Sequence, residues 1–327
     1  MDSGNGHHEF PAEIVLEPIG AHFQVPPPHQ PESHDTRSAV IAAILFILTV
    51  FSTLAVGTEF AAAYEAGVAP FSNGSIFPFF TVLHHPAVLL TGLPFAFTLM
   101  GILLAHELGH FFACRYYRIP ASYPYFIPAP TLIGTLGAFI RIRAPIINRK
   151  ALFDIGLAGP VVGFLFALPA LAIAISVSKV VPGAASQGWL IFGNPPLARL
   201  LEAMLRPNVH SGDLLLNPVG RAAWVGLFVT ALNLLPASQL DGGHIVYALT
   251  SERHRLLSLA VVIALLPMGW LWDGWLLWAV LLLLIGFRHP PILDRWEPLD
   301  ARRKFWAVIA LAIFLLCFTP IPFSIHV

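Results

Sequence analysis

Charged side chains are scarce in this sequence. Asp, Glu, Lys and Arg make up 11% of its 327 residues, against about 25% in soluble domains. With 57% of residues hydrophobic, that shortage excludes an ordinary water-soluble domain and points to a polytopic membrane protein. The formal net charge is zero and no basic stripe runs along the chain, so no nucleic-acid partner is expected. Cysteine is nearly absent as well. Cys114 and Cys317 lie beside different apolar runs and form no CxxC, which excludes a disulfide framework and a thiolate metal site. Proline runs the other way. Its 29 copies imply kinked or broken helices and irregular backbone near a cavity.

What the chain does have is His106-Glu107-Leu108-Gly109-His110, near the end of an apolar run from about Val88 to Phe112. Histidines four residues apart share one face of a helix, one turn from each other. Both rings can then reach a single Zn²⁺ at about 2.0–2.1 Å. Glu107 follows the first ligand and is placed to act as general base on a water activated by the metal. Two histidines and a glutamate at membrane depth are costly unless they pair with something, so the cluster reads as a metal site rather than as polar surface.

In chain order, residues 1–37 form a polar, flexible tail with His7, His8, His22, His29 and His34 at irregular spacing. It lacks a basic segment before a short apolar core, so a cleaved signal peptide is not indicated. The remainder, 38–327, reads as the membrane-embedded part. Spans are expected at Ala39–Val56, Val88–Phe112, Ala151–Ser176 and Val219–Leu235, and His84-His85-Pro86 reads as a loop feature. A shorter apolar pair follows at Leu256–Leu266 and Trp270–Phe287, spanning or re-entrant, and a last run covers Phe305–Phe323. The expected fold is thus all-α, with six to seven membrane segments. A small membrane-associated β-hairpin or sheet is added by Thr131–Arg143, where β-branched residues and Gly134 and Gly137 favour extended backbone. That segment is either a structural hairpin or an edge for an extended peptide. Asp154, near the start of the third span, reads as a cap or helix-dipole partner. Gly156, Ala158, Gly159 and Gly163 form a small-residue face suited to close helix packing.

The fourth span ends in Asn233-Leu234-Leu235-Pro236-Ala237-Ser238-Gln239-Leu240-Asp241-Gly242-Gly243-His244. Pro236 cannot continue a regular helix. The two histidines need a third protein ligand, and zinc accepts a carboxylate oxygen. Asp241 is the first candidate and His244 the competitor. If the N-terminus lies inside, all of the 18 basic residues except Lys179, Arg199, Arg206 and Arg221 fall on the inner side. That orientation puts the ends of spans two and four, and both polar clusters, on the cytoplasmic side.

These paired motifs resemble the site-2 protease family of intramembrane zinc metalloproteases. Gly134-Thr135-Leu136-Gly137-Ala138-Phe139-Ile140 and the stretch from Asn148 to Pro160 are also similar to that family, and the resemblance covers roughly residues 88–250, the expected catalytic core. It implies zinc ligands at His106, His110 and Asp241, an acid/base at Glu107, and Asn233 holding the substrate carbonyl or its oxyanion. It further implies that Gly134, Gly137, Ala138 and Phe139 belong to a strand that binds a transmembrane protein substrate within membrane lipid. No PDZ insert fits between spans two and four, and no CBS pair is expected after the last run. A prokaryotic inner membrane is the expected location, since no transit peptide is seen. The alternative is a non-enzymatic membrane zinc-binding or transport protein.

Overall fold

The computed structural model describes residues 36–71, 85–146, 148–183, 190–287, 289, 290, 292, 294 and 298–325. Most of the expected polar tail, with its five histidines, lies outside the described residues, as does His84. Helix α1 (Thr36–Ala66) is longer than the expected first span. The second begins as a 3-10 turn over Pro86–Gly92 and becomes α-helical at α2 (Leu93–Tyr116). At the change, Gly92 packs closely onto α1. A Cβ there would stand 2.2 Å from the Leu54 carbonyl oxygen. Strands β1 (Tyr125–Pro128) and β2 (Thr135–Phe139) follow, then α3 (Arg149–Val177). These three long elements, counting the 3-10 turn with α2, are each apolar and long enough to cross a bilayer.

The rest of the chain is built from shorter pieces. They are β3 (Lys179–Val180), β4 (Leu190–Phe192), the amphipathic α4 (Pro196–Leu205), β5 (Leu214–Leu215), α5 (Pro218–Asn233), α6 (Asp241–Leu249), α7 (His254–Met268), α8 (Gly274–Ile285), α9 (Ala301–Cys317) and β6 (Phe323–Ile325). Helices α5, α7, α8 and α9 have 16, 15, 12 and 17 residues. At 1.5 Å per residue they run from about 18 to 26 Å, short of the roughly 30 Å of a hydrocarbon core. Among the described residues, three helices are thus candidate membrane spans by length and composition, and any count of six to seven rests on the shorter ones.

Among the described residues there are three two-stranded antiparallel sheets: β1–β2, β3–β5 and β4–β6. The expected strand within Thr131–Arg143 is β2. Its partner β1 comes from the proline-rich stretch before it, in the register Tyr125↔Phe139 and Phe126↔Ala138. Gly134 and Gly137 have φ of 78° and 102°, a region that L side chains rarely enter. The turn at Gly134 sits on α1, where Ser52 Oγ donates to the Gly134 carbonyl at 2.6 Å.

Helices α2 and α3 pack with their backbones nearly touching. A Cβ on Gly109 would meet the Ala158 carbonyl oxygen at 2.6 Å. This is the expected small-residue face, and it is what brings α3 against the two histidines. Asp154 is a correction. The cap of α3 is Asn148, whose side chain accepts from the Ala151 N–H at 2.8 Å. Asp154 stands one turn further on and pairs with Arg303 of α9. Helix-dipole reasoning looks only along a helix and does not see a cation arriving from another one.

Candidate metal centre

On α2 the helical spacing puts His106 and His110 side by side, with ring centroids 4.8 Å apart and both residues buried. Their Nε2 atoms are 3.1 Å apart. Asp241, the first residue of α6, brings Oδ2 to 3.3 Å from each Nε2. Among the described residues this is the group of histidine, cysteine and acidic side chains whose ligand atoms converge. The Asn233 amide nitrogen, at the end of α5, is 3.3 Å from His106 Nε2.

The donor set fits a zinc ion. His110 Nδ1 lies 2.8 Å from the Ile155 carbonyl oxygen, which can only accept, so Nδ1 carries the proton. Its Nε2 lone pair then points at another imidazole nitrogen and at a carboxylate oxygen. Lone pairs gathered in this way repel unless a cation sits among them. An ion about 2.0–2.1 Å from each atom would hold tetrahedral ligands about 3.3–3.4 Å apart, close to the 3.1 and 3.3 Å observed. Two imidazoles and one carboxylate leave the fourth position of a zinc site open, as in catalytic centres.

Each candidate ligand is held by close backbone packing. Glycines on α3 make room for the rings: a Cβ on Gly159 would lie 2.1 Å from His110 Nε2, and one on Gly163 would lie 3.0 Å from His106 Nδ1. Asp241 is placed by the loop from Leu234 to Leu240, which Ser238 anchors at a φ of 54°. The Ser238 N–H donates to Ser258 Oγ at 3.0 Å, its hydroxyl donates to the Gly286 carbonyl at 2.6 Å, and its own carbonyl accepts from His254 Nε2 at 3.0 Å. The α7–α8 pair thus buttresses the loop that leads to Asp241, the third candidate ligand. Gly242 and Gly243 follow because this loop folds onto the start of α6. Side chains there would stand 2.2 Å from the Leu234 and 2.3 Å from the Ser238 carbonyl oxygens.

His244 does not compete with Asp241. Its Nδ1 lies 2.8 Å from His289 Nε2, and His289 Nδ1 lies 2.8 Å from the Pro290 carbonyl. That carbonyl fixes the tautomers, so His289 Nε2 accepts a hydrogen bond from His244 Nδ1–H. Glu107 is buried beside the ligands, and its carboxylate accepts a hydrogen bond from the Ile140 backbone N–H. Ile140 follows the last residue of β2, so the strand ends at the carboxylate. Of the four residues expected along a substrate strand, Gly134 forms the turn on α1, and Gly137, Ala138 and Phe139 lie in β2. Sequence reasoning missed Ile140 and Ile155, which act through backbone groups that any residue type supplies.

The profile of peptidase family M50 matches residues 94–271, a range that contains His106, Glu107, His110, Asn233 and Asp241. The chain is 33% identical over 300 residues to a protein of Arabidopsis thaliana named probable zinc metalloprotease EGY1, chloroplastic, a match covering 86% of this chain and 53% of that relative. It is 31% identical over 319 residues to the protein of that name from Oryza sativa subsp. japonica, covering 86% and 50%. To probable zinc metalloprotease EGY2, chloroplastic, of Arabidopsis thaliana, it is 28% identical over 246 residues, covering 72% and 43%. The chain spans about half the length of the curated relatives it matches. On the strength of the profile match, with its site residues brought together by the fold, this chain belongs to peptidase family M50, the site-2 protease family.

Proposed function

We propose that the chain is an intramembrane zinc endopeptidase that hydrolyses peptide bonds of transmembrane protein substrates. The observation that carries this reading is the convergence of His106, His110 and Asp241 from two distant helices, with Glu107 buried beside them. Zinc held there would supply a Lewis acid that polarises a carbonyl and lowers the pKa of water from 15.7 to about 7. Glu107 takes the proton of the attacking water and passes it to the leaving amine. The Asn233 amide donates to the substrate carbonyl oxygen as negative charge develops on it. A helical substrate must first unwind, because its carbonyls are hydrogen-bonded and shielded. Pairing of the unwound segment along Gly137, Ala138 and Phe139 offsets that cost. Because β2 ends at Glu107, a segment laid along it would run to the reacting groups. The concentration of basic residues beside the site-bearing helix ends supports a cytoplasm-facing site. Chloroplast location is carried by the names of the relatives.

The test uses the purified chain in liposomes with a model transmembrane substrate. Cleavage is expected, lost on treatment with a zinc chelator and restored by added Zn²⁺. Zinc uptake into the vesicles without cleavage would overturn the reading in favour of a transport protein.

A further inference from the structure

Three polar side chains that the hydrolytic scheme leaves unused meet where α2, α3 and α9 come together. Arg303, in the first turn of α9, grips Asp154 with two atoms: Nε to Oδ1 at 2.9 Å and Nη2 to Oδ2 at 2.5 Å. Its Nη2 also donates to the Tyr117 hydroxyl at 3.1 Å, and that hydroxyl donates to Asp154. Asp300 caps α9 by accepting from the Arg303 N–H at 2.8 Å, and it pairs with the same guanidinium. Burial and the neighbouring Asp154 push the Tyr117 hydroxyl up to about 12, so it remains a donor. The guanidinium is thereby fixed from three sides, unlike an isolated surface ion pair, which contributes little.

The location of this cluster gives it a second consequence. Asp154 immediately precedes Ile155, whose carbonyl holds His110 Nδ1–H. Tyr117 caps the C-terminal end of α2, two turns beyond His110. The cluster therefore grips both helices that supply the two ends of that hydrogen bond. Where the helices pass closest, a Cβ on Gly109 would stand 2.6 Å from the Ala158 carbonyl oxygen and 3.1 Å from the Gly159 Cα, so the two backbones leave little room for a slip.

We infer that Asp154, Arg303 and Tyr117 are positioning residues for the metal centre: they set the register of α3 against α2 and so hold the Ile155 carbonyl where it orients His110. The last helix, far from the site in sequence, then governs how tightly the metal is bound. Groups that orient a metal-bound imidazole are typically worth about 10–100-fold in metal affinity. The inference rests on the reading of His110 as a zinc ligand.

The test measures the zinc Kd of the purified full chain by chelator competition, with thermal unfolding of the metal-free protein as a second readout. Asp154→Asn and Arg303→Gln are each expected to raise the Kd about tenfold or more. The double variant adds little, since both act through one interaction. Arg303→Lys falls between wild type and Arg303→Gln. Lys179→Met, which removes an exposed ion pair with Glu65, serves as control and leaves the Kd unchanged. A merely structural tie would lower the unfolding midpoint and spare the Kd of the folded protein, and that result overturns the inference. Should Asp154→Asn fail to fold, Tyr117→Phe and Arg303→Lys decide: a raised Kd supports the inference, a wild-type Kd overturns it. A wild-type chain that binds no zinc removes the metal reading itself, which is a different failure from wild-type affinity in the variants.

Discussion

Glu107→Gln is expected to stop cleavage while zinc stays bound. The carboxylate lies outside the converging group formed by His106, His110 and Asp241, so the substitution takes nothing from the ligand set. Gln keeps the size of Glu, and its amide oxygen still accepts from the Ile140 N–H, so the end of β2 stays where it is. What disappears is a group able to take up and release a proton. General acid–base catalysis contributes about 10²–10⁴-fold, or about 3–5 kcal/mol of barrier. Single-turnover cleavage in liposomes, read beside zinc content, measures both halves of this expectation. Full activity would remove Glu107 from the mechanism, and loss of zinc would make it a ligand.

Gly159→Ala is expected to cost the protein its metal without unfolding it. Propensity alone predicts a gain, since alanine is favoured over glycine in a helix by about 1 kcal/mol. The structure reverses that sign at the metal centre. The new Cβ would lie 2.1 Å from His110 Nε2 and 2.5 Å from both Cδ2 and Cε1. The ring cannot swing aside without breaking its 2.8 Å bond to the Ile155 carbonyl. Either His110 leaves the ligand set or α2 and α3 part, and zinc affinity falls at least about 100-fold, the upper end for loss of an orienting group. Gly163→Ala is milder, because its Cβ would lie 3.0 Å from His106 Nδ1. Zinc content and circular dichroism on the same samples check the claim. Stoichiometric zinc in Gly159→Ala would mean that the two helices do not approach this closely.

The parts of the site that follow from repeat and breakage were legible in the sequence. A four-residue spacing is one helical turn, so His106 and His110 had to share a face. Pro236 had to keep the fourth span from running on as a regular helix toward Asp241. The small-residue face was legible as a packing surface, though not as the seat of the imidazoles. Other features have no local signature. β1 lies in a stretch whose prolines exclude a regular helix without specifying a strand, and it pairs with β2 in a register that only the fold supplies. Asp154 reads as a dipole partner until Arg303 arrives from 149 positions along the chain. His244 is three residues from Asp241 and equally able to bind a metal; only the position of His289 removes it. The start of α8 was also unreadable, since Trp270, Leu271 and Trp272 carry its apolar run back into the preceding turn, whereas α7 lies within two residues of its expected run at each end.

The two cysteines acquire a use from where they lie. Cys114 sits one turn beyond His110 and is fully enclosed, and Cys317 closes α9 with 1% of its surface exposed. A thiol sealed from water is inert to alkylating reagents until its surroundings open. Maleimide labelling of Cys114 therefore times the loosening of the helix that bears the histidines, and labelling of Cys317 times the detachment of the last helix. Comparing the two rates in a variant tells a site emptied of its ion from a chain that has come apart.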